Sequence, residues 1–310
     1  MRVVFLGTPE FAVPSLDALV AAGHSVVAVF TQPDRPKGRG QQLAESPVKQ
    51  SALRLGLPVF QPERIRRPDS FEQLRAFGAD LMVVVGYGQI IPQSIIDLPR
   101  HGILNVHASL LPKYRGAAPI QWAIANGETS TGVTIMQIDA GLDTGDMLAK
   151  ARTDIRSDET APELSARLAP MGAQLLIDTI GGIERGTATR EKQNDSEATL
   201  ARILKKEDGR VDWTTPARQI NDRRRGFTPW PGAYTTFRGQ PLSLLRTEAL
   251  EDKSLLPSVI RVDEKSLLVG TGDGALAISE VQPGGKKRMS VEAYINGYQP
   301  RNGERMGDEQ

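Results

Sequence analysis

The sequence contains no cysteine. Disulfides, thiolate-ligated zinc, iron–sulfur clusters and thiol nucleophiles are therefore excluded, and the absence is consistent with a reducing compartment. Histidine is nearly as scarce, with three residues: His24, His101 and His107. Neither charge sign dominates. The 38 Lys and Arg against 37 Asp and Glu leave a formal net charge of +1, so any contact with a polyanion must come from local clustering. No apolar run approaches the roughly 18 residues of a transmembrane helix. The opening MRVVFLGTPEF begins on a short apolar strand, without the longer apolar core and small-residue cleavage site of a secretory signal. A soluble cytoplasmic protein is the expectation. Two phosphate-binding signatures are missing as well. The first strand–helix turn, Gly7-Thr8-Pro9-Glu10, lacks the second glycine of G-x-G-x-x-G, Pro9 removes a donor, and no G-x-x-x-x-G-K-[ST] occurs. A nicotinamide enzyme is disfavoured.

What is present is an α/β rhythm. Arg2 to Leu6 is a short β-branched apolar run, Pro14 to Ala22 has helical spacing ending at Gly23, and Val26 to Phe30 is again strand-like. Strand–helix–strand implies a parallel sheet with right-handed crossovers. The alternation continues through a helix at Pro47 to Leu55, a strand at Asp80 to Val85, a helix at Pro92 to Leu98 and a strand at Gly102 to Val106. A further strand is expected at Gly132 to Asp139 and a long helix at Ala161 to Ile183. The first part of the chain thus reads as a Rossmann-like, doubly wound α/β domain, residues 1–188. Residues 189–204 are polar and lose apolar periodicity, as a linker would. From residue 205 to 310, short strand-like runs are separated by turns such as Arg238-Gly239 and Gly284-Gly285, which predicts a smaller β-rich, OB-like barrel domain. The stretch Thr31 to Val48 is rich in Pro, Gly and basic residues. It comes after the second strand on the sheet's carboxyl side, where such folds bind ligands, and a loop of that length is commonly functional.

Chemistry is expected at the ends of later strands. Asn105 and His107 stand two apart in ILNVH, so they face the same way. An amide donates hydrogen bonds without titrating, whereas an imidazole exchanges protons near neutrality. In the glycine-rich DAGLDTGD, Asp143 can reach back towards that strand; by local chemistry Asp139 and Asp146 stand almost equal to it. His24, at a helix end, and His101, in a turn, read as structural. Basic clusters occur at Arg35, Lys37 and Arg39, at Lys205-Lys206, at Arg223-Arg224-Arg225 and at Lys286-Lys287-Arg288. Beside a small β-rich domain they suggest a nucleic-acid partner.

NVHASLLPKYRGAAP followed by GVTIMQIDAGLDTGD resembles the 10-formyltetrahydrofolate-dependent formyltransferases. FLGTPEFAVPSL, TQPDRPKGRG, VVVGYGQIIP, FTPWPGAYT and GDGALAISEVQPGGKKRM bring the resemblance closest to the methionyl-tRNA formyltransferases, in order along nearly the whole chain. The resemblance implies a catalytic trio of Asn105, His107 and Asp143. It implies a folate contact at Ser109, Leu110, Leu111 and Pro112, 10-formyltetrahydrofolate as formyl donor and no metal. Initiator methionyl-tRNA is the implied acceptor, held by Arg35, Lys37 and above all Arg39 in the loop, and by Lys205, Lys206, Lys286, Lys287 and Arg288 in the second domain. No membrane partner is implied, and nothing demands an oligomer, so a monomer is expected. One departure stands at Arg225-Gly226-Phe227, where the family commonly has Arg-Ala-Phe before Pro-Trp-Pro.

Overall fold

The computed structural model describes residues 1–37 and 42–307. Its elements run β1 (Arg2–Gly7), α1 (Val13–Ala21), β2 (Ser25–Phe30), β3 (Arg35–Lys37), β4 (Gln42–Ala44), α2 (Pro47–Arg54), β5 (Val59–Phe60), α3 (Pro68–Ala76), β6 (Leu81–Val85), α4 (Gln93–Ile96), β7 (Ile103–His107), α5 (Pro119–Ala125), β8 (Ser130–Gln137), β9 (Met147–Asp154) and α6 (Ala161–Glu184). They continue with α7 (Ala217–Gly226), β10 (Ala233–Phe237), β11 (Gln240–Leu250), β12 (Ile260–Val262), β13 (Leu267–Gly270), β14 (Ala275–Pro283), β15 (Met289–Ser290) and α8 (Val291–Tyr298). The chain divides into two compact units. One comprises Met1–Pro119, Ser130–Asp154 and Ser165–Arg202; the other comprises Ile120–Thr129, Ile155–Leu164 and Ile203–Gln310.

The first unit is built on a seven-stranded sheet in the order β5-β2-β1-β6-β7-β8-β9. Its first five strands are parallel, as their buried apolar runs demand. The sheet is nonetheless mixed, because β8 and β9 add antiparallel strands to the β7 edge. The loop from β8 to β9 is too short for a crossover helix, so the pair forms a hairpin. Strand β9 escaped the apolar reading because it is an edge strand with alternating exposure. Val4, Leu6, Phe30, Met82 and Ile103 are buried within one cluster under the sheet. Each such side chain contributes roughly 1.5–3 kcal/mol relative to exposure. The stretch after β2 holds the short antiparallel hairpin β3–β4. Beside it, the Asp34 carboxyl accepts from Lys49 Nζ at 2.5 Å and Gln61 Nε2 at 2.7 Å. Those two bonds, Lys49's first, hold its carboxyl below the usual carboxylate range.

The second unit is β-rich and antiparallel, in the order β10-β11-β14-β13-β12 with β15 on β14. Residues 303–307 join its two outer strands. Gly303 and Met306 donate to the carbonyls of Ile260 and Ser258, while Gly307 donates to that of Thr236. The sheet thereby closes into a barrel around Trp213, Leu244, Val269, Leu276 and Tyr294. The departure at Gly226 has a steric reason: a Cβ there would lie 2.5 Å from the Gln121 carbonyl oxygen and 2.8 Å from the Ala125 nitrogen. Next to it, Phe227 packs edge-on against Trp122 at 5.2 Å between ring centres.

Candidate functional site

The parallel strands β1, β6 and β7 bring their carboxyl ends to one rim of the sheet. The last turn of β7 places Asn105 and His107 there, both largely buried. Pairing with β8 sets Asn105 opposite Met136 and His107 opposite Thr134. Thr134 then organises the turn leading out of β7. Its hydroxyl donates to the Ser109 carbonyl at 2.7 Å and accepts from the Leu111 N–H at 3.1 Å.

Asp143 arrives from the β8–β9 loop. Of the three carboxylates left open by the sequence, it is the one bonded to Asn105. Asp143 Oδ1 accepts from Asn105 Nδ2 at 3.3 Å, and Oδ2 accepts from the Gly116 N–H at 2.8 Å. Asp139 instead caps its own turn, accepting from the Gly141 N–H and the Thr144 hydroxyl. A glycine at 145 is required for this loop, since a Cβ would lie 1.9 Å from the Gln137 carbonyl oxygen. Gly116 is needed equally, because its φ is +116° and a Cβ would meet the Ala201 carbonyl oxygen at 2.8 Å.

The two nitrogens of His107 have different duties. Nε2 lies 2.9 Å from the carbonyl oxygen of Tyr114. A carbonyl only accepts, so Nε2 must carry a proton. Nδ1 faces Asp143 Oδ2 at 3.6 Å, too long for a hydrogen bond but within ion-pairing range. The ring thus turns Nε2 to the backbone and Nδ1 to the carboxylate.

The other site residues divide by exposure. Ser109 is buried, and its hydroxyl donates to the Lys113 carbonyl at 2.6 Å. Leu111 packs against Met136 and Met147. Leu110 and Pro112 are half-buried, with a cis peptide bond between Leu111 and Pro112. Arg35 is exposed, only the backbone of Lys37 is described, and Arg39 lies outside the described residues. Lys205, Lys206, Lys286, Lys287 and Arg288 are all exposed.

The run Arg223-Arg224-Arg225 requires a correction. It reads as a basic surface, yet Arg224 and Arg225 are buried on the last turn of α7. Arg225 donates to the Glu159 carbonyl at 2.7 Å and to Asp222 at 2.5 Å, while Arg223 donates to the Asp208 carbonyl. Burial, then the neighbouring Arg225 and Arg246, push the Arg224 guanidinium down to about 10. A cleft of about 1290 Å³ beside it, within the second unit, is lined by Arg218, Arg246 and Lys253 but also by Glu163, Glu248 and Asp273, so its charges offset one another.

Sequence reasoning missed Tyr114, Gly116, Thr134 and Gln193. The first three act through backbone groups or a hydroxyl without a distinctive spacing. Gln193 lies in the stretch read as a linker. Among the described residues no group of three or more His, Asp or Glu side chains could hold a metal ion, and no helix is long and apolar enough to cross a membrane.

Comparison with known proteins supplies an independent view. Residues 1–180 match the family described as "Formyl transferase", and residues 203–299 match "Formyl transferase, C-terminal domain". The chain is 59% identical over 308 residues to the methionyl-tRNA formyltransferase of Solibacter usitatus, covering 99% of each. It is 55% identical to that of Koribacter versatilis and 48% identical to that of Geobacter metallireducens, again at 99% of each chain. Among solved structures, the N-formyltransferase from Helicobacter canadensis in complex with folinic acid and dTDP-3-aminofucose is similar with a TM-score of 0.66 at 18% identity, over 91% of this chain and 99% of that one. HypX from Aquifex aeolicus in complex with tetrahydrofolic acid is similar with a TM-score of 0.64 at 19% identity, over 96% of this chain and 47% of that one. At these identities the structures speak for the fold alone.

Proposed function

The chain belongs to the methionyl-tRNA formyltransferases, and on that premise we propose that Asn105, His107 and Asp143 are its catalytic groups. The reaction moves the formyl group of 10-formyltetrahydrofolate to the α-amino group of methionine on initiator methionyl-tRNA. The carrying observation is the Asp143 carboxylate, which bonds Asn105 and faces His107 Nδ1.

Attack of the neutral amine on the formyl carbon makes a tetrahedral centre with a developing oxyanion. One Asn105 N–H is occupied by Asp143; the other is the fixed donor for that oxyanion. The attacking amine must lose a proton and the departing folate nitrogen must gain one. His107 Nδ1 and Asp143 are the pair through which that proton passes. The half-buried Leu110 and Pro112 are assigned to the folate rings. Ser109 and Leu111 support them from beneath, Ser109 by its bond to the Lys113 carbonyl and Leu111 by packing on Met136 and Met147.

For the tRNA, the exposed Lys205, Lys206, Lys286, Lys287 and Arg288, with Arg35, Lys37 and Arg39, form the phosphate-contacting set. Residues 1–188 are assigned to catalysis, 205–310 to tRNA binding and 189–204 to the connection between them. A monomer working beside its tRNA in the cytoplasm completes the reading.

Single-turnover transfer from labelled formylfolate tests it. His107→Ala and Asp143→Ala should each slow transfer to methionyl-tRNA by roughly 10²–10⁴-fold, the usual weight of general acid–base groups, and Asn105→Ala by roughly 10²–10³-fold, that of an oxyanion donor. Unchanged rates in all three folded variants would remove the assignment. Offering a nucleotide-linked amino sugar or water alone as acceptor should give no transfer.

A further inference from the structure

In the first unit, among the described residues, Tyr114 and Asp143 are the non-glycine residues with positive φ, at +62° and +52°. Both touch the trio: the Tyr114 carbonyl orients His107, and Asp143 is a member. Left-handed conformations in non-glycine residues cost of order 1–3 kcal/mol and persist only where the surroundings over-determine them. Besides Asn105, Gly116 and His107, which already hold the Asp143 carboxylate and the Tyr114 carbonyl, those surroundings include one further segment, residues 191–201.

That segment is laid against both loops. The Glu191 backbone pairs with that of Met147 in both directions. Gln193 Nε2 donates to the carbonyls of Asp143 and Gly145, each at 2.8 Å. Gln193 Oε1 accepts from Arg115 Nε at 2.9 Å, and the same guanidinium reaches Asp195 Oδ1 at 2.7 Å. The Thr199 hydroxyl accepts from the Tyr114 N–H at 2.8 Å. The Arg115 N–H donates to the Thr199 carbonyl, and the Ala201 N–H to that of Arg115. Segment 191–201 therefore grips the Asp143 loop at one end and the Tyr114 loop at the other. Its polarity, which reads as a linker, reflects binding through amides and backbone instead of an apolar face.

We propose that residues 191–201 form a strap that sets the distance between His107 Nδ1 and Asp143, with Gln193 and Thr199 as positioning residues for formyl transfer. Neither touches the reacting atoms. Gln193 is the joint: its amide nitrogen fixes the backbone of Asp143, and its oxygen fixes the arginine that neighbours Tyr114. The proposal rests on the catalytic reading of the trio.

The test separates holding the fold from holding the geometry. Gln193→Glu keeps an acceptor for Arg115 but loses both donors to the Asp143 loop; Gln193→Leu loses all three bonds. Thr199→Val removes the acceptor for Tyr114, and Thr199→Ser retains it. We expect kcat at saturating formylfolate and methionyl-tRNA to fall about ten- to a hundredfold in Gln193→Glu, the scale of a misplaced catalytic group. The KM for either substrate should move less than about threefold, since Gln193 touches neither, while the protein stays folded at the assay temperature despite the two carbonyls that lose their donor. Thr199→Val should lose kcat and Thr199→Ser should restore it. Wild-type kcat in folded Gln193→Glu, or equal kcat in Thr199→Val and Thr199→Ser, overturns the strap. Should Gln193→Leu fail to fold, the other three variants decide. Asp143→Ala assayed alongside distinguishes the claims: if it too keeps full activity, the catalytic reading has failed; if it alone loses activity, only the strap has.

Discussion

The loops around Asp143 and the turn at Lys286-Lys287-Arg288 are both dense in polar groups, yet they use them in opposite ways. Around Asp143 the protein itself supplies the partners: an asparagine amide, a backbone N–H, an imidazole and a glutamine amide. At 286–288 the lysines stand in solvent, and Arg288 makes one ion pair with Glu280 at 3.6 Å. The difference teaches that charge alone does not assign a role. Groups bonded internally define a geometry, while groups left to solvent remain free for a polyanion. Arg224 and Arg225 fall on the internal side of this line despite belonging to a run of three arginines.

The contrast can be broken experimentally. The largest stability effect should come from Arg225→Ala. Removing it leaves Asp222 buried without its 2.5 Å partner, and breaking a buried pair costs about 3–5 kcal/mol. Thermal or urea unfolding should show the loss; an unfolding free energy within about 1 kcal/mol of wild type would put Arg225 in the solvent-facing class. Next comes the combined Lys286→Ala, Lys287→Ala and Arg288→Ala variant. It should leave Tm unchanged, weaken tRNA binding and lower the slope of log K against log salt by roughly 2–3, one for each lost phosphate contact. An unchanged slope would remove that turn from the interface. Arg39→Ala should weaken transfer to tRNA while leaving folate binding intact, and equal loss of both would mean that the loop shapes the active site instead. The smallest effect should be at Tyr87, whose buried hydroxyl has no partner among the described residues and is pushed well above the usual phenol range by burial. Tyr87→Phe should be neutral or stabilising by up to about 1 kcal/mol in the same unfolding assay.

Much of the first unit was legible because its parallel strands are buried on both faces, so Val3 to Leu6 and Leu81 to Val85 appear as unbroken apolar runs. The facing of Asn105 and His107 followed from strand alternation. Four features were not legible from residue pattern alone, each for a physical reason. Strand β9 is an edge strand whose alternating charges mask it. The strap at 191–201 binds through amides and main chain, which leave no periodicity. Local chemistry did not separate Asp143 from Asp139, although the family resemblance did; the physical difference is the tertiary bonds from Asn105 and Gly116, distant in sequence. Burial of Arg224 and Arg225 was hidden for a related reason, since a run of arginines looks the same whether solvent or carbonyl oxygens receive its donors.

The central claim is that the Asp143 charge facing His107 Nδ1 drives the proton step. Asp143→Asn tests it most directly, because the amide keeps the carboxylate's shape and an acceptor oxygen while removing the charge. Measured in single turnover with saturating formylfolate and methionyl-tRNA, on protein whose Tm matches wild type, the transfer rate should fall by at least about a hundredfold with substrate affinities retained. A rate within about threefold of wild type would contradict the account.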